Sequence, residues 1–541
     1  MNKLKLGLLL LTPLFFSCTK VLDTAPYSSI TDASAFSTAA KCALALNGVY
    51  DAAQGDYYVT GTTEVRGYPF GAANIYQSDA RGEDVVNVQA FLQVTYQATY
   101  NATNANSGAM WKGCYELINK ANVAIAGFRG ASGGVIPVAT AQQYEAECRF
   151  LRALSHHEAV QHFARPYLEN NGTSPGVPWR DFPINTTAAV NSILNSPRAS
   201  VGTIYTNCLL DLDYAETYLP AASAPTGFIS YRATKASAIA LKQRLKLEKG
   251  DWAGAKAEGD KLIPAVVTPT NPSGTVSPIG SWALTASPDG PFSSTTFANN
   301  SSENIFSVKN DAVDAPSTNG ALSRLYGAAS LGGRGLVSIS QIIYNDGRWL
   351  CDDKRRTLLT TLGTTALGGT GPTASAYFTT KYRDYTTFGD FAPQIRYAEV
   401  LLNQAEAEAR NSNAVTTRAV DLLNVVRNRS LNTPATQAYT TGSFATVVDL
   451  IKAILFERRV EFLCEGKRWG DISRLANDPN YTTGGIPAKT ANGVIGQATY
   501  VCGGGYAPGQ AAIPYSDYRF LWPIPITEIQ TNPIIVQNPG Y

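Results

Sequence analysis

Histidine is almost absent from this chain: there are three in 541 residues, at positions 156, 157 and 162. A histidine-based catalytic triad anywhere else is therefore excluded. His157 and His162 are five residues apart, a step that does not put two ligands on one helix face as H-E-x-x-H does. Packed or helix-surface histidines are the default reading, and no metal or cofactor is expected. Charge is scarce as well, at 16% of residues against about 25% in an average soluble protein. The net charge is +2 and no Lys/Arg cluster stands out, so nucleic acid is not a partner. No GxxxxGK[ST] or GxGxxG follows a strand pattern, which leaves nucleotide binding without support. Gly172-Thr-Ser174-Pro-Gly176 fits G-x-S-x-G in form only: a helical pattern precedes Ser174 and Pro175 follows it, where a nucleophile elbow needs a strand and then a helix. No CxxC pair occurs. Seven cysteines remain beyond Cys18 (Cys42, Cys114, Cys148, Cys208, Cys351, Cys464 and Cys502), an odd number to which no disulfide is assigned. Cys114, Cys148, Cys208 and Cys464 fall in helical patterns and read as small buried hydrophobes.

What is present begins at the N-terminus. Lys3 and Lys5 precede an apolar run from Leu6 to Phe16, too short to span a bilayer, in the layout of a secretory signal peptide. The run ends at Ser17-Cys18, which resembles a bacterial lipobox, so residues 1–17 are expected to be removed and Cys18 to carry the lipid. Acyl chains there would anchor the protein, at about 0.8 kcal/mol per buried methylene. No later segment reaches the ~20 apolar residues of a transmembrane helix. Tyrosine is abundant, at 28 residues, and a neutral surface rich in hydroxyl and amide groups suits uncharged polar ligands. At this length one large domain or two intimately joined ones are expected.

The strong periodicity is helical. Tyr144–Phe163 and Val201–Leu219 repeat apolar positions at steps of three and four. Thr234–Glu248 stops at Gly250, and Asp251 then caps a helix running to about Leu262, a hairpin of the size of a tetratricopeptide-like repeat. Gln394–Arg410 with Thr417–Arg429 makes a second. Three stretches read as non-helical loops: 55–106, 267–380 and 477–514. The run ERRVEFLCEGKRWGD (Glu457–Asp471) continues the apolar stripe Val447, Ile451, Ile454 with Arg458, Glu461, Glu465 and Arg468. Such charges are expected to be buried and paired, because an unpaired buried charge costs several kcal/mol. The spacing suggests Glu465 with Arg468 and Arg468 with Asp471, with Arg427 or Arg429 reaching in.

Several of these segments resemble one family. Ile454–Leu475 is similar to the ER-x-x-E-[LF]-x-x-E-G-x-R-x-x-D helix of the SusD/RagB outer-membrane lipoproteins. Ile395–Arg410, Ala419–Ser430, Trp111–Ile125, Tyr144–Leu154 and the C-terminal Tyr518–Tyr541 resemble further segments of that family in the expected order. The resemblance implies a mainly α protein in which tetratricopeptide-like hairpins form a scaffold with long irregular loops. Its N-terminal region would cover 18–265 and its C-terminal region 266–541, packed as one unit. It also implies a non-enzymatic lipoprotein of the cell surface that captures oligosaccharides for a SusC-like TonB-dependent transporter, or peptides in the RagB branch. The family's site lies in the loop ahead of the Trp111 helix and in the central insert. The candidates carried over by region are Tyr76, Asp79, Arg81, Phe91, Tyr96, Tyr100, Asn101 and Asn104, with Trp282, Asn319, Arg324, Tyr326 and Trp349. Replacing Tyr96 and Tyr100 with Ala is expected to weaken ligand binding.

Overall fold

The structure, a computed structural model, describes residues 32–55, 66–222, 228–292 and 300–541. Cys18 and the 1–17 leader lie outside the described residues. The chain is mainly helical, as expected. Helices α1 (Ala39–Gln54), α2 (Ala72–Ala80), α3 (Ala105–Ala131), α4 (Val138–Phe163), α5 (Val201–Tyr218), α6 (Lys235–Glu248) and α7 (Trp252–Leu262) make the first half. Helices α8 (Tyr397–Ser412), α9 (Thr417–Asn428), α10 (Val447–Glu461) and α11 (Arg468–Arg474) follow the central insert.

Local chemistry fixes the helix starts. Thr234 accepts from Ser237 N at 3.3 Å in a capping box, Asp251 from Gly254 N at 2.9 Å, and Thr416 from Ala419 N at 3.2 Å. From α3 to α9, through the hairpins α6/α7 and α8/α9, each helix packs on the next. This gives a row of tetratricopeptide-like pairs with one continuous core running from Cys42 to Ile535.

The second hairpin starts later than its pattern suggests. Ala392–Arg396 is a strand, β6, antiparallel to β2 (Asn304–Val308), so α8 begins only at Tyr397. Pairing with a distant strand outweighs helical propensity there. In 55–106, read as a loop, helix α2 was missed because all nine of its residues are buried, Asn74, Gln77 and Asp79 included. A helix enclosed on every side has no polar face to set a period.

The charged run is a buried ionic network, with partners other than those its spacing suggests. Helix α10 ends at Glu461, and the chain turns through Cys464 and Gly466, both with positive φ, before α11. Glu461 therefore accepts from Arg396 (2.9 Å), Arg355 (3.1 Å) and Arg429. Glu465 pairs with Arg396 (2.8 Å) and Lys381 rather than Arg468. Arg468 takes Glu83 (2.7 Å), and Asp471 takes Arg458 (3.0 Å) and Arg474 (2.9 Å). Arg429 and Arg427 do reach in, the latter to Glu457. Burial raises the Glu406 carboxyl, but Arg474 and Arg410 outweigh it and hold it at about 2.

Small antiparallel pairs join the loops: β1 (Val85–Asn87), in the loop ahead of α3, with β3 (Val337–Ile339) of the central insert, and within the insert the hairpin β4 (Thr360–Ala366) with β5 (Thr373–Thr379). There is also a disulfide, Cys351–Cys502, which the sequence reading did not assign. The cysteines lie 151 residues apart, so no local spacing announces the bond.

Candidate functional site

Most of the aromatic candidates are enclosed. Tyr76 donates to Asn87 Oδ1 at 2.8 Å and Tyr96 to Thr490 O at 2.6 Å, both rings fully buried. Tyr100 donates to Arg519 O and meets Trp522 edge-on. Trp282 is buried against Phe228, and Trp349 lies beneath Arg356 and beside Tyr344. Tyr326 donates to Asp79 Oδ2 at 2.7 Å, while Gly466 N donates to Asp79 Oδ1 at 3.0 Å. Burial pushes the Asp79 carboxyl up to about 8. Arg81 stands 3.2 Å over the Trp469 ring, and burial pushes its guanidinium down to about 10.

None of these eight presents a face to solvent, so the expectation that Tyr96 and Tyr100 stack on ligand is corrected. The loops use tyrosine and tryptophan as core residues beside their aliphatic ones, and the tyrosine hydroxyls find oxygen acceptors inside the protein. Asn101 is exposed but accepts from Thr103 N and Oγ1 (2.9 and 2.7 Å), and Asn104 caps α3 at the rim of a cleft of about 680 Å³.

Phe91 and Asn319 behave differently, and with Arg324 they come together. The pairing of β1 with β3 continues to Val88 N, which donates to Leu336 O at 2.8 Å. The two chain ends beyond it, Gln89–Phe91 and Arg334, therefore emerge side by side. Gln89 Nε2 donates to Arg334 O (2.9 Å) and Thr365 Oγ1 (3.3 Å). Between them Gly335, with φ +60, turns where any Cβ would strike Thr365. The guanidinium carbons of Arg66 and Arg334 lie 4.7 and 5.0 Å from the half-buried Phe91 ring. Arg334 also donates to Asn319 Oδ1, and Arg324 lies 5.8 Å from Phe388. Arg66, Gln89, Arg334 and Phe388 were not among the candidates. A glycine-flanked arginine, Gly333-Arg334-Gly335, was the one signal that could have pointed there.

The three histidines and Ser174 each have partners inside the protein. His157 bonds Glu248 at 2.6 Å, His156 stacks on Trp179 and His162 on Trp522. Ser174 sits in a loop and accepts from Asn170 at 3.0 Å. Among the described residues no cluster of three His, Cys, Asp or Glu could hold a metal, and no helix is long and apolar enough to cross a membrane.

A mainly helical scaffold of tetratricopeptide-like hairpins carrying long irregular loops is the architecture of the SusD class. The comparisons agree. Residues 353–541 match the SusD family, and residues 20–247 match a family described as starch-binding, associating with outer membrane. The SusD-like protein P2 of Formosa agariphila is 25% identical over the full length of both chains. A SusD superfamily protein from Bacteroides fragilis shares the fold with a TM-score of 0.70 at 25% identity, over 93% of this chain and 99% of that one. The surface glycan-binding protein A of Bacteroides uniformis has a TM-score of 0.66 at 20% identity, over 93% and 99%. The chain belongs to the SusD/RagB family.

Proposed function

We propose that this protein captures oligosaccharides at the outer-membrane surface and passes them to a SusC-like TonB-dependent transporter, held to the membrane by a lipid on Cys18. It works by binding, without turnover. The observation that carries the reading is Phe91, a half-buried ring flanked by Arg66 and Arg334, with Gln89 and Asn319 bonded to Arg334 beside it. A sugar ring offers a flat C–H face that an aromatic ring can cover and a hydroxyl rim that amides and guanidinium groups can hydrogen-bond. The match to a starch-binding, outer-membrane-associating family supports the same reading.

Isothermal titration of the chain from residue 19 onward against plant, host and microbial glycans, with a peptide digest alongside, tests it. Binding to a glycan class is expected, and Phe91→Ala should weaken it at least tenfold, about 1.4 kcal/mol, without changing the melting temperature. Heat from peptides alone would move the protein to the peptide-binding branch. Unchanged affinity in the variant would remove Phe91 from the site.

A further inference from the structure

Among the described residues, the arginines around Phe91 have no acid partner. Arg334 N donates to Arg324 O at 2.9 Å, which ties those two residues together, and Arg66 shares the Phe91 ring with Arg334. Their hydrogen-bond acceptors are all neutral: Asn106 Oδ1 for Arg66 at 3.1 Å, Gly332 O for Arg324, and Asn319 Oδ1 for Arg334. Among the described residues no carboxylate pairs with any of the three. The Nε atoms of Arg66 and Arg324 are buried without a partner. Burial, and then the charges of Arg324 and Arg66, hold the Arg334 guanidinium below its ordinary pKa.

Other arginines among the described residues are arranged differently. Where arginines gather, as with Arg355, Arg396 and Arg429, they share Glu461. Arg198 and Arg356 stand singly without an acid, each among several backbone carbonyls, and Arg81 lies singly against the Trp469 ring. Three like charges in a half-buried patch repel one another in a medium that screens them less than water. Such an arrangement is typical of a site completed by a charge from outside. Guanidinium groups present planar, paired donors matched to carboxylate and sulfate oxygens.

We infer that the captured glycan is anionic, with carboxylate or sulfate-ester groups that Arg66, Arg324 and Arg334 pair while a sugar ring covers Phe91. This rests on the glycan-capture reading above and names the ligand class of the same site. The test is titration with matched probes: oligogalacturonate and its methyl ester, sulfated carrageenan oligosaccharides and their desulfated form, and neutral maltoheptaose. The uronate and sulfate arms separate the two sources of charge. The expected result is that at least one acidic probe binds tenfold or more tighter than its neutralised counterpart. That binding should weaken at least tenfold as NaCl is raised from low to near-molar concentration. Arg334→Gln and Arg66→Gln should each cost the acidic probe at least tenfold and cost a neutral probe several-fold less than that. The salt series needs no variant, so it decides even if one fails to fold. Neutral probes binding as tightly as acidic ones, with Phe91→Ala still abolishing the heat, would overturn the charge assignment and leave glycan capture standing. Silence from every glycan would overturn both.

Discussion

Asp79 is a carboxyl group enclosed by protein, with Tyr326 Oη and Gly466 N as its donors and no ion pair among the described residues. Burial raises its pKa to about 8, so at neutral pH the folded protein holds it protonated while the unfolded chain, with an ordinary value near 3.9, does not. The stability it contributes is fully present below that unfolded value and is lost as pH rises through about 8, at up to about 1.4 kcal/mol per pH unit in between. Asp79→Asn keeps the shape and removes the proton. The variant should therefore gain on the wild type in melting temperature as pH goes from 5 to 7. His156 and His162, whose pKa values burial lowers, slope the other way, but they are common to both proteins and cancel in the difference. A constant gap across that range would show that Asp79 is ionised in the fold.

The α10–turn–α11 element explains why a run that looks like one charged helix is two. Its turn passes so close to α2 that a Cβ on Gly466 would lie 2.9 Å from Ile75 Cα, and its φ is +72°. Only glycine meets both conditions. The turn sends Arg468 outward to Glu83 and leaves Glu461 and Glu465 facing the arginines of α9, β6 and the insert. Gly466→Ala should cost about 2 kcal/mol or more, left-handed strain plus displacement of α2, read as a lowered urea midpoint. A midpoint within error of wild type would mean the turn has slack that this geometry denies it.

The molecule as a whole is tied across its insert. Cys351 and Cys502 join segments 151 residues apart, one just after Trp349 beneath its arginine and the other in the 477–514 loop. Closing a loop of that length is worth about 3–5 kcal/mol through the unfolded chain. The paired substitution Cys351→Ser with Cys502→Ser should lower the urea midpoint accordingly, and reducing agent should do to the wild type what the substitutions do. Equal stability with and without reductant would show that the loop's packing alone sets the geometry. Cys42, Cys114, Cys148, Cys208 and Cys464 are buried thiols, so reduction acts through this one bond among the described residues.

The sequence by itself determined the helical scaffold, its hairpins and the family, because those signals are local. A cap acts over three residues, as Thr234 does on Ser237, and an apolar stripe repeats every three or four. The family pattern is largely such helices, together with the chain-terminal segment. It also showed that the Glu457–Asp471 charges were a paired network, since burial forbids the alternative. Only the tertiary structure decided which charge met which, that Cys351 finds Cys502, and which rings face solvent. Tyr326 and Phe91 both sit in stretches that read as irregular loop. Tyr326 is buried by an aspartate 247 positions away, and Phe91 is left at the edge because β1 and β3 end beside it. Burial of a loop side chain depends on what the rest of the chain brings to it, and no short window of sequence contains that.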